Sequence, residues 1–428
     1  MLDYCKNMDW RNRVFTGSWM LTLWLLPWQS RWFFPVELAG WPWEQGTWSI
    51  VLSMFPMFFS ILWIWIFCKP TLITHKRKSI GIAILFVISV FATRGNPLAI
   101  QAISFWWFSC FLLASFAWSL MRKNITKEEV MWIFFLTLIP HALLGIWQYA
   151  DQFVFPSTWL GMASQDPRML GVSVVEHGKY RLLRAYGGFP HPNIFGGWLA
   201  IGLLNALLLS RVVRKKYQAI GLAFGSALLM MALILTYSRS SWIAFGVGFV
   251  WFIGWNIWKK NTFSSFFWAV CISIILSGAI VSISQRSHVF SRFQTETRLE
   301  KRSISERVTS LKDAGTLFLQ RPYFGFGPNA EMLGLVSTEK TKAPLQPPHT
   351  IFVLFVLDFG LIGSLIFIWI IVRLKFTFYD NICFPFIIAC VILGLFDHYL
   401  WSYWSGRCLL MIICLFCFLP RRQKLEEG

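Results

Sequence analysis

Residues 218–258 read QAIGLAFGSALLMMALILTYSRSSWIAFGVGFVWFIGWNIW, two apolar runs parted by one short polar turn. Each run approaches the ~20 residues a helix needs to cross a bilayer, and the residues between Thr236 and Ser240 leave room only for a tight reversal. The stretch therefore predicts two antiparallel membrane helices. The composition extends that reading to the whole chain: of 428 residues, 56% are hydrophobic and 14% charged, where soluble domains carry about a quarter charged residues. A soluble globular protein is excluded. The 25 Trp and 42 Phe suit a chain that faces lipid and anchors at its interfaces.

Similar apolar runs lie near 14–33, 48–68, 79–93, 100–121, 130–150, 192–210, 263–284, 349–372, 376–396 and 403–420. With the first pair, the expected fold is an all-α polytopic membrane protein of about 12 transmembrane helices. The net charge of +19 is read as orientation rather than as a nucleic-acid footprint, because loop Lys and Arg residues fix which side faces the cytoplasm. Lys6, Lys69, Arg122, Arg211, Lys259, Lys375 and Arg421, with their basic neighbours, fall on one side. Both termini are thus expected in the cytoplasm. Met1 to Arg13 has no apolar core, so no signal peptide is expected and the first span should stay. None of the nine cysteines falls in a long loop, which argues against a disulfide framework, and the Cys414/Cys417 pair reads as buried hydrophobes.

No internal repeat is detectable, so residues 1–428 form one expected membrane domain with two long outer loops, 151–191 and 285–348. Long loops on one face of an otherwise tightly connected bundle are where function concentrates. In the second loop Ser303-Ile304-Ser305-Glu306 fits a capping box and predicts a helix start, with Val308, Leu311, Ala314, Leu317 and Phe318 at helical spacing. An amphipathic helix on the membrane surface or on the bundle is expected there.

Polar clusters gather at outer helix ends. Arg184 to Asn193, with Gly187, Gly188, Pro190, His191 and Pro192, leads into one span; Ser238 and Arg239 sit in the tight turn of the opening stretch. Arg307 lies on the amphipathic helix and is followed by Arg321-Pro322-Tyr323-Phe324-Gly325-Phe326-Gly327. His349 stands at the start of the 349–372 run, ahead of Asp358-Phe359-Gly360-Leu361-Ile362-Gly363, and Asp397-His398-Tyr399 is a weaker fifth candidate. A guanidinium beside the apolar layer is costly unless paired, so Arg239 is a functional candidate by position alone. Arginines converging on one face suit a lipid diphosphate, since the planar fork donates two hydrogen bonds to phosphate and keeps its charge. His349 titrates in the range a general base requires. No Asp-x-Asp or similar couple occurs in the outer loops, which favours arginine over a metal as the electrophilic element; no metal and no cofactor is expected.

These clusters, in this order, resemble the O-antigen ligase and O-antigen polymerase superfamily of bacterial membrane glycan transferases, over residues 184–363. The resemblance implies an undecaprenyl-diphosphate-linked glycan donor, bound at the outer face of the bacterial cytoplasmic membrane and transferred without metal to an acceptor hydroxyl. That acceptor would be lipid A core, a protein or a growing polysaccharide. It implies catalytic roles for His349, Arg239 and Arg307, and diphosphate binding by Arg184, Arg239, Arg307, Ser238, His191 and Asn193. Two positions depart from the family's habit, Ser240 where Gly is common and Thr350 where Asn is common. Two alternatives stay open: a twelve-helix polysaccharide or lipid transporter, and a cell-wall glycan polymerase of the shape and division class, which would rely on a carboxylate such as Glu306 or Asp313.

Overall fold

A computed structural model describes residues 10–68, 76–123, 125–177, 180–292, 298–336, 345–373 and 383–419. Lys6, Lys69, Lys375 and Arg421 of the expected orientation set, and residues 376–382 of one expected span, lie outside them. The described chain is a helical bundle. Seven helices are long and apolar enough to cross a membrane by length and composition: α4 (Pro97–Arg122), α5 (Lys127–Asp151), α6 (Pro192–Leu209), α7 (Lys216–Leu235), α8 (Arg239–Trp258), α9 (Ser265–Ser284) and most of α13 (Ile351–Arg373). Four further expected spans coincide with shorter apolar helices, α2 (Met54–Cys68), α3 (Lys76–Ala92), α14 (Phe384–Phe396) and α16 (Trp404–Phe418).

The first expected span is corrected at its far end. Helix α1 (Trp10–Leu25) stops before Pro27, and the apolar residues beyond it enter β1 (Arg31–Phe34), paired antiparallel with β4 (Trp48–Val51) around the shorter pair β2 (Glu37–Leu38) and β3 (Trp41–Pro42). A third hairpin, β5 (Val174–His177) with β6 (Tyr180–Leu183), lies in loop 151–191. The expectation of an all-α chain misses these strands because Arg31-Trp32-Phe33-Phe34 continues an apolar run, and periodicity over four residues cannot tell strand from helix.

Helix α6 is the axis of the bundle. Its apolar window is 94% buried, as expected of a helix that is apolar all round, and α5, α7, α8 and α14 pack against it. Helix α9 lies against α7, while α1, α2 and α4 build the other flank, with Trp19, Phe116 and Phe134 fully enclosed.

Helix α11 (Arg298–Gln320) corrects the expected start at Ser303. Glu306 does not reach back to a cap; its carboxylate pairs with Arg302 at 2.7 Å, one turn earlier. The capping pattern lies inside a continuing helix. Of the expected apolar face, Ala314 and Leu317 are buried against α13 and the Phe326 turn, whereas Val308 and Leu311 are exposed. The C-terminal half of α11 is therefore bound to the bundle.

Helix α13 is broken at Gly360 (φ 64°, ψ −171°). A break orphans donors and acceptors that a helix would pair internally, and the turn 322–327 supplies partners for four of them. Leu357 and Asp358 carbonyls accept from Phe326 N (2.9 Å) and Gly327 N (2.8 Å), while Leu361 N and Ile362 N donate to Pro322 O (2.9 Å) and Tyr323 O (3.1 Å). Gly360 is required twice: its φ is left-handed, and an added Cβ would lie 2.3 Å from the Tyr323 carbonyl. The Gly325-Phe326-Gly327 turn and the Asp358-Phe359-Gly360 run are thus two halves of one backbone lock.

Candidate functional site

The polar residues collect at the end of the bundle that bears loops 151–191 and 285–348. The stretch Arg184–Asn193 is held from behind by α5: Gln148 Nε2 donates to Gly187 O (2.9 Å), Tyr186 N donates to Gln148 Oε1 (3.2 Å), and Gly188 N donates to His141 Nδ1 (3.1 Å). A Cβ on Gly188 would meet the His141 ring at 2.7 Å, so the glycine lets the backbone approach. The chain then turns into α6, whose N-cap is His191; its Nδ1 accepts from Asn193 N (3.1 Å) and its Nε2 lies 2.9 Å from Ser173 Oγ.

From this frame a chain of side chains runs into the site. Arg184, buried, donates from Nε to Thr236 O (2.6 Å) and from Nη2 to Asn193 Oδ1 (2.7 Å). Asn193 Nδ2 donates to Asp397 Oδ2 (3.0 Å), across 204 residues of sequence. Asp397 Oδ1 accepts from His398 N (2.8 Å), and His398 Nδ1 lies 3.0 Å from Ser402 Oγ. His349 completes the cluster: one donor atom from each of His349, Asp397 and His398 lies within 4.8 Å of the others. Asp397, the weakest candidate in the sequence, stands at the centre.

Electrostatics give these groups different states. Burial lowers the His349 pKa below the ordinary imidazole value, with Asp397 and Glu306 opposing the fall and Arg307 adding to it. His349 is therefore a neutral acceptor at neutral pH. Burial also lowers His398 and His191, each to about 4. Burial alone would raise the Asp397 carboxyl, but His398, His191, the Asn193 amide and His349 together hold it below the usual carboxylate range. A neutral imidazole beside a fixed carboxylate can take a proton and be stabilised as it does so.

The spacing of His349, Asp397 and His398 would also admit a cation. Both Asp397 oxygens and His398 Nδ1 have hydrogen-bonding partners as well. Arg184 and Arg307 add positive potential at His191 and His349. The set thus combines groups able to move a proton with positive potential for an anionic ligand.

Arg307 on α11 is half-buried and within electrostatic reach of His349. Arg239 begins α8 and donates from Nη1 to Arg292 O (2.9 Å). Ser238 Oγ lies 2.9 Å from Ser241 Oγ, beside Gly196 in the first turns of α6. Arg321 has a structural place: Nη1 donates to Ala92 O (2.8 Å) at the end of α3, with the guanidinium over the Phe326 ring.

One contributor was missed. Glu44, in the turn between β3 and β4, pairs with Arg31 at 2.8 Å and adds its charge near Tyr403 and His398. The Tyr403 and His398 rings lie 5.7 Å apart. Nothing within the N-terminal sequence signals this, since its partners come some 350 residues later.

Residues 222–368 match the family model described as O-antigen ligase. Over that stretch the chain is similar to O-antigen ligases. The resemblance read from the sequence to that superfamily is thereby shown. A comparison with curated proteins found no match. The family is associated with glycan transfer in surface polysaccharide synthesis. The matched stretch takes in Arg239, Arg307, His349 and the lock at Gly360, while Arg184, His191, Asn193, Asp397 and His398 lie on either side of it. The candidate site is thus assembled from the matched stretch and both of its flanks.

Proposed function

We propose that this protein transfers a glycan from an undecaprenyl-diphosphate-linked donor to an acceptor hydroxyl, at the outer face of a bacterial cytoplasmic membrane that it crosses twelve times with both termini inside. The observation that carries this reading is the convergence of His349, Asp397 and Asn193 on one open end of an apolar bundle, with Arg307 close enough to act on His349. His349 takes the proton of the acceptor hydroxyl as its oxygen attacks the anomeric carbon. The bond from that carbon to the diphosphate breaks, and the diphosphate leaves with the electron pair and the lipid. Inversion at the anomeric carbon follows from a single displacement. Arg307 and Arg239 stabilise the departing charge without a metal. Arg184, with two nitrogens bonded to Thr236 O and Asn193, acts with His191 and Ser238 to hold the wall of the site, and Asn193 fixes Asp397 behind the base.

The deciding experiment incubates purified protein in lipid nanodiscs with undecaprenyl-diphosphate glycan and reads the glycolipids by mass spectrometry, with and without lipid A core or a protein acceptor, and with EDTA. Longer lipid-linked chains without added acceptor mean polymerisation; a single transfer that needs acceptor means ligation. Donor left intact under every condition would overturn the proposal, and loss of transfer in EDTA would overturn its metal-independence.

A further inference from the structure

A second acidic cluster lies deeper, where the backbone lock closes. Glu331 and Asp358 are 1% and 0% exposed, among Phe326, Ala330, Met332 and Leu357. Trp401 Nε1 donates to Asp358 Oδ2 (2.6 Å). The two carboxyls are within hydrogen-bonding reach of each other, yet Glu331 Oε2 and Asp358 Oδ1 have no donor. Two acceptors therefore face each other in an apolar pocket, where uncompensated like charges are strongly disfavoured.

Cations do not resolve it. Among the described residues neither carboxyl pairs with Lys, Arg or His. The nearby basic groups bond elsewhere: Arg407 Nη1 to Trp401 O and Ser402 O, Arg321 to Ala92 O, and His398 to Ser402. The titratable group facing each carboxyl is the other carboxyl. We propose that Glu331 and Asp358 form a buried site for one proton, shared between Oε2 and Oδ1, which fastens the chain after Gly327 to the break in α13. A single proton gives the pair a donor, leaves one net negative charge for Trp401 to stabilise, and removes the like-charge repulsion. Burial pushes the Glu331 carboxyl up to about 7, in the direction the geometry requires. The inference stands independently of glycan transfer.

Infrared spectroscopy of the purified full chain, in a detergent free of esters, tests it. Near neutral pH a protonated-carboxyl C=O band should be present, shift in D2O, fade as pH rises past about 7, and be lost in both Glu331→Gln and Asp358→Asn. Stability adds a second readout. The folded chain holds a proton that the unfolded chain releases near the ordinary carboxylate value, so wild-type stability should fall between about pH 4 and about pH 7 and level off above. Glu331→Gln supplies its own amide donor to Asp358 Oδ1 and should flatten that slope. Absence of the band in wild type near neutral pH overturns the proposal, as does a variant with an unchanged band or an unchanged slope. Should neither variant fold, the wild-type band and its titration decide.

Discussion

Two carboxylate clusters sit at the same end of this bundle and differ in what reaches them. Asp397 accepts from the Asn193 side chain and lies within 4.8 Å of two histidines, one of them, His349, half-exposed. Asp358 is fully enclosed and faces a second acid. Both are Asp residues beside a Trp- and Tyr-rich turn, 398–404. The difference teaches that contact with an imidazole and access to solvent, rather than residue type, decide which of the two carboxyls could take part in proton movement with a histidine.

The sharpest way to break the comparison is at His349. His349→Ala should lower transfer by about 10²- to 10⁴-fold, the usual contribution of a general base, while the melting temperature stays near wild type because the side chain is half-exposed. An equal fall in both would make His349 a packing residue. Gly360→Ala should do the opposite. The left-handed φ costs on the order of 1–3 kcal/mol in a non-glycine residue, and the clash with Tyr323 adds to it. A clear drop in melting temperature is expected; an unchanged one would mean that α13 closes its break without the 322–327 turn.

Asp397→Asn sharpens the comparison through pH. Asp397 raises the His349 pKa that burial lowers. A base works in its neutral form, so activity climbs as pH rises through that pKa. Removing the carboxylate should move the acid limb to lower pH by about one unit and lower the plateau about tenfold, since one unit is ~1.4 kcal/mol of differential stabilisation. A limb that stays in place would separate Asp397 from the base.

Much of this was legible in sequence, for identifiable reasons. The helices were, because apolar runs in a membrane chain leave few other structures. Arg184–Asn193 was, because two glycines and two prolines beside Arg, His and Asn mark shaped backbone. The strands at Arg31–Phe34 and Trp48–Val51 were not, since their pairing is non-local and their residues continue apolar runs. The start of α11 was misplaced because Ser303 and Glu306 fit a cap, whereas Glu306 pairs with Arg302 inside the helix. Asp397 stood in a short turn with nothing to distinguish it until Asn193 and His349 came beside it. Burial of Glu331 could not be read at all, because its pocket is built from Phe326, Leu357 and Trp401, which are apart in sequence.

The smallest expected effect is at Glu44, and it asks whether the N-terminal hairpin takes part. Glu44 is exposed and paired with Arg31, and exposed ion pairs contribute about 0–1 kcal/mol, at most roughly a fivefold effect on rate. Its charge near Tyr403 and His398 nevertheless ties it to the cluster. Glu44 raises the His398 pKa, so Glu44→Gln should lower it further and leave His398 neutral over a wider range. NMR titration of ring-labelled histidine would show that shift. Arg31→Gln leaves the Glu44 carboxylate without its counter-charge and should move His398 the other way. Opposite shifts would place the hairpin electrostatically in the site; equal shifts would mean that both substitutions merely loosen the Tyr403 ring against His398.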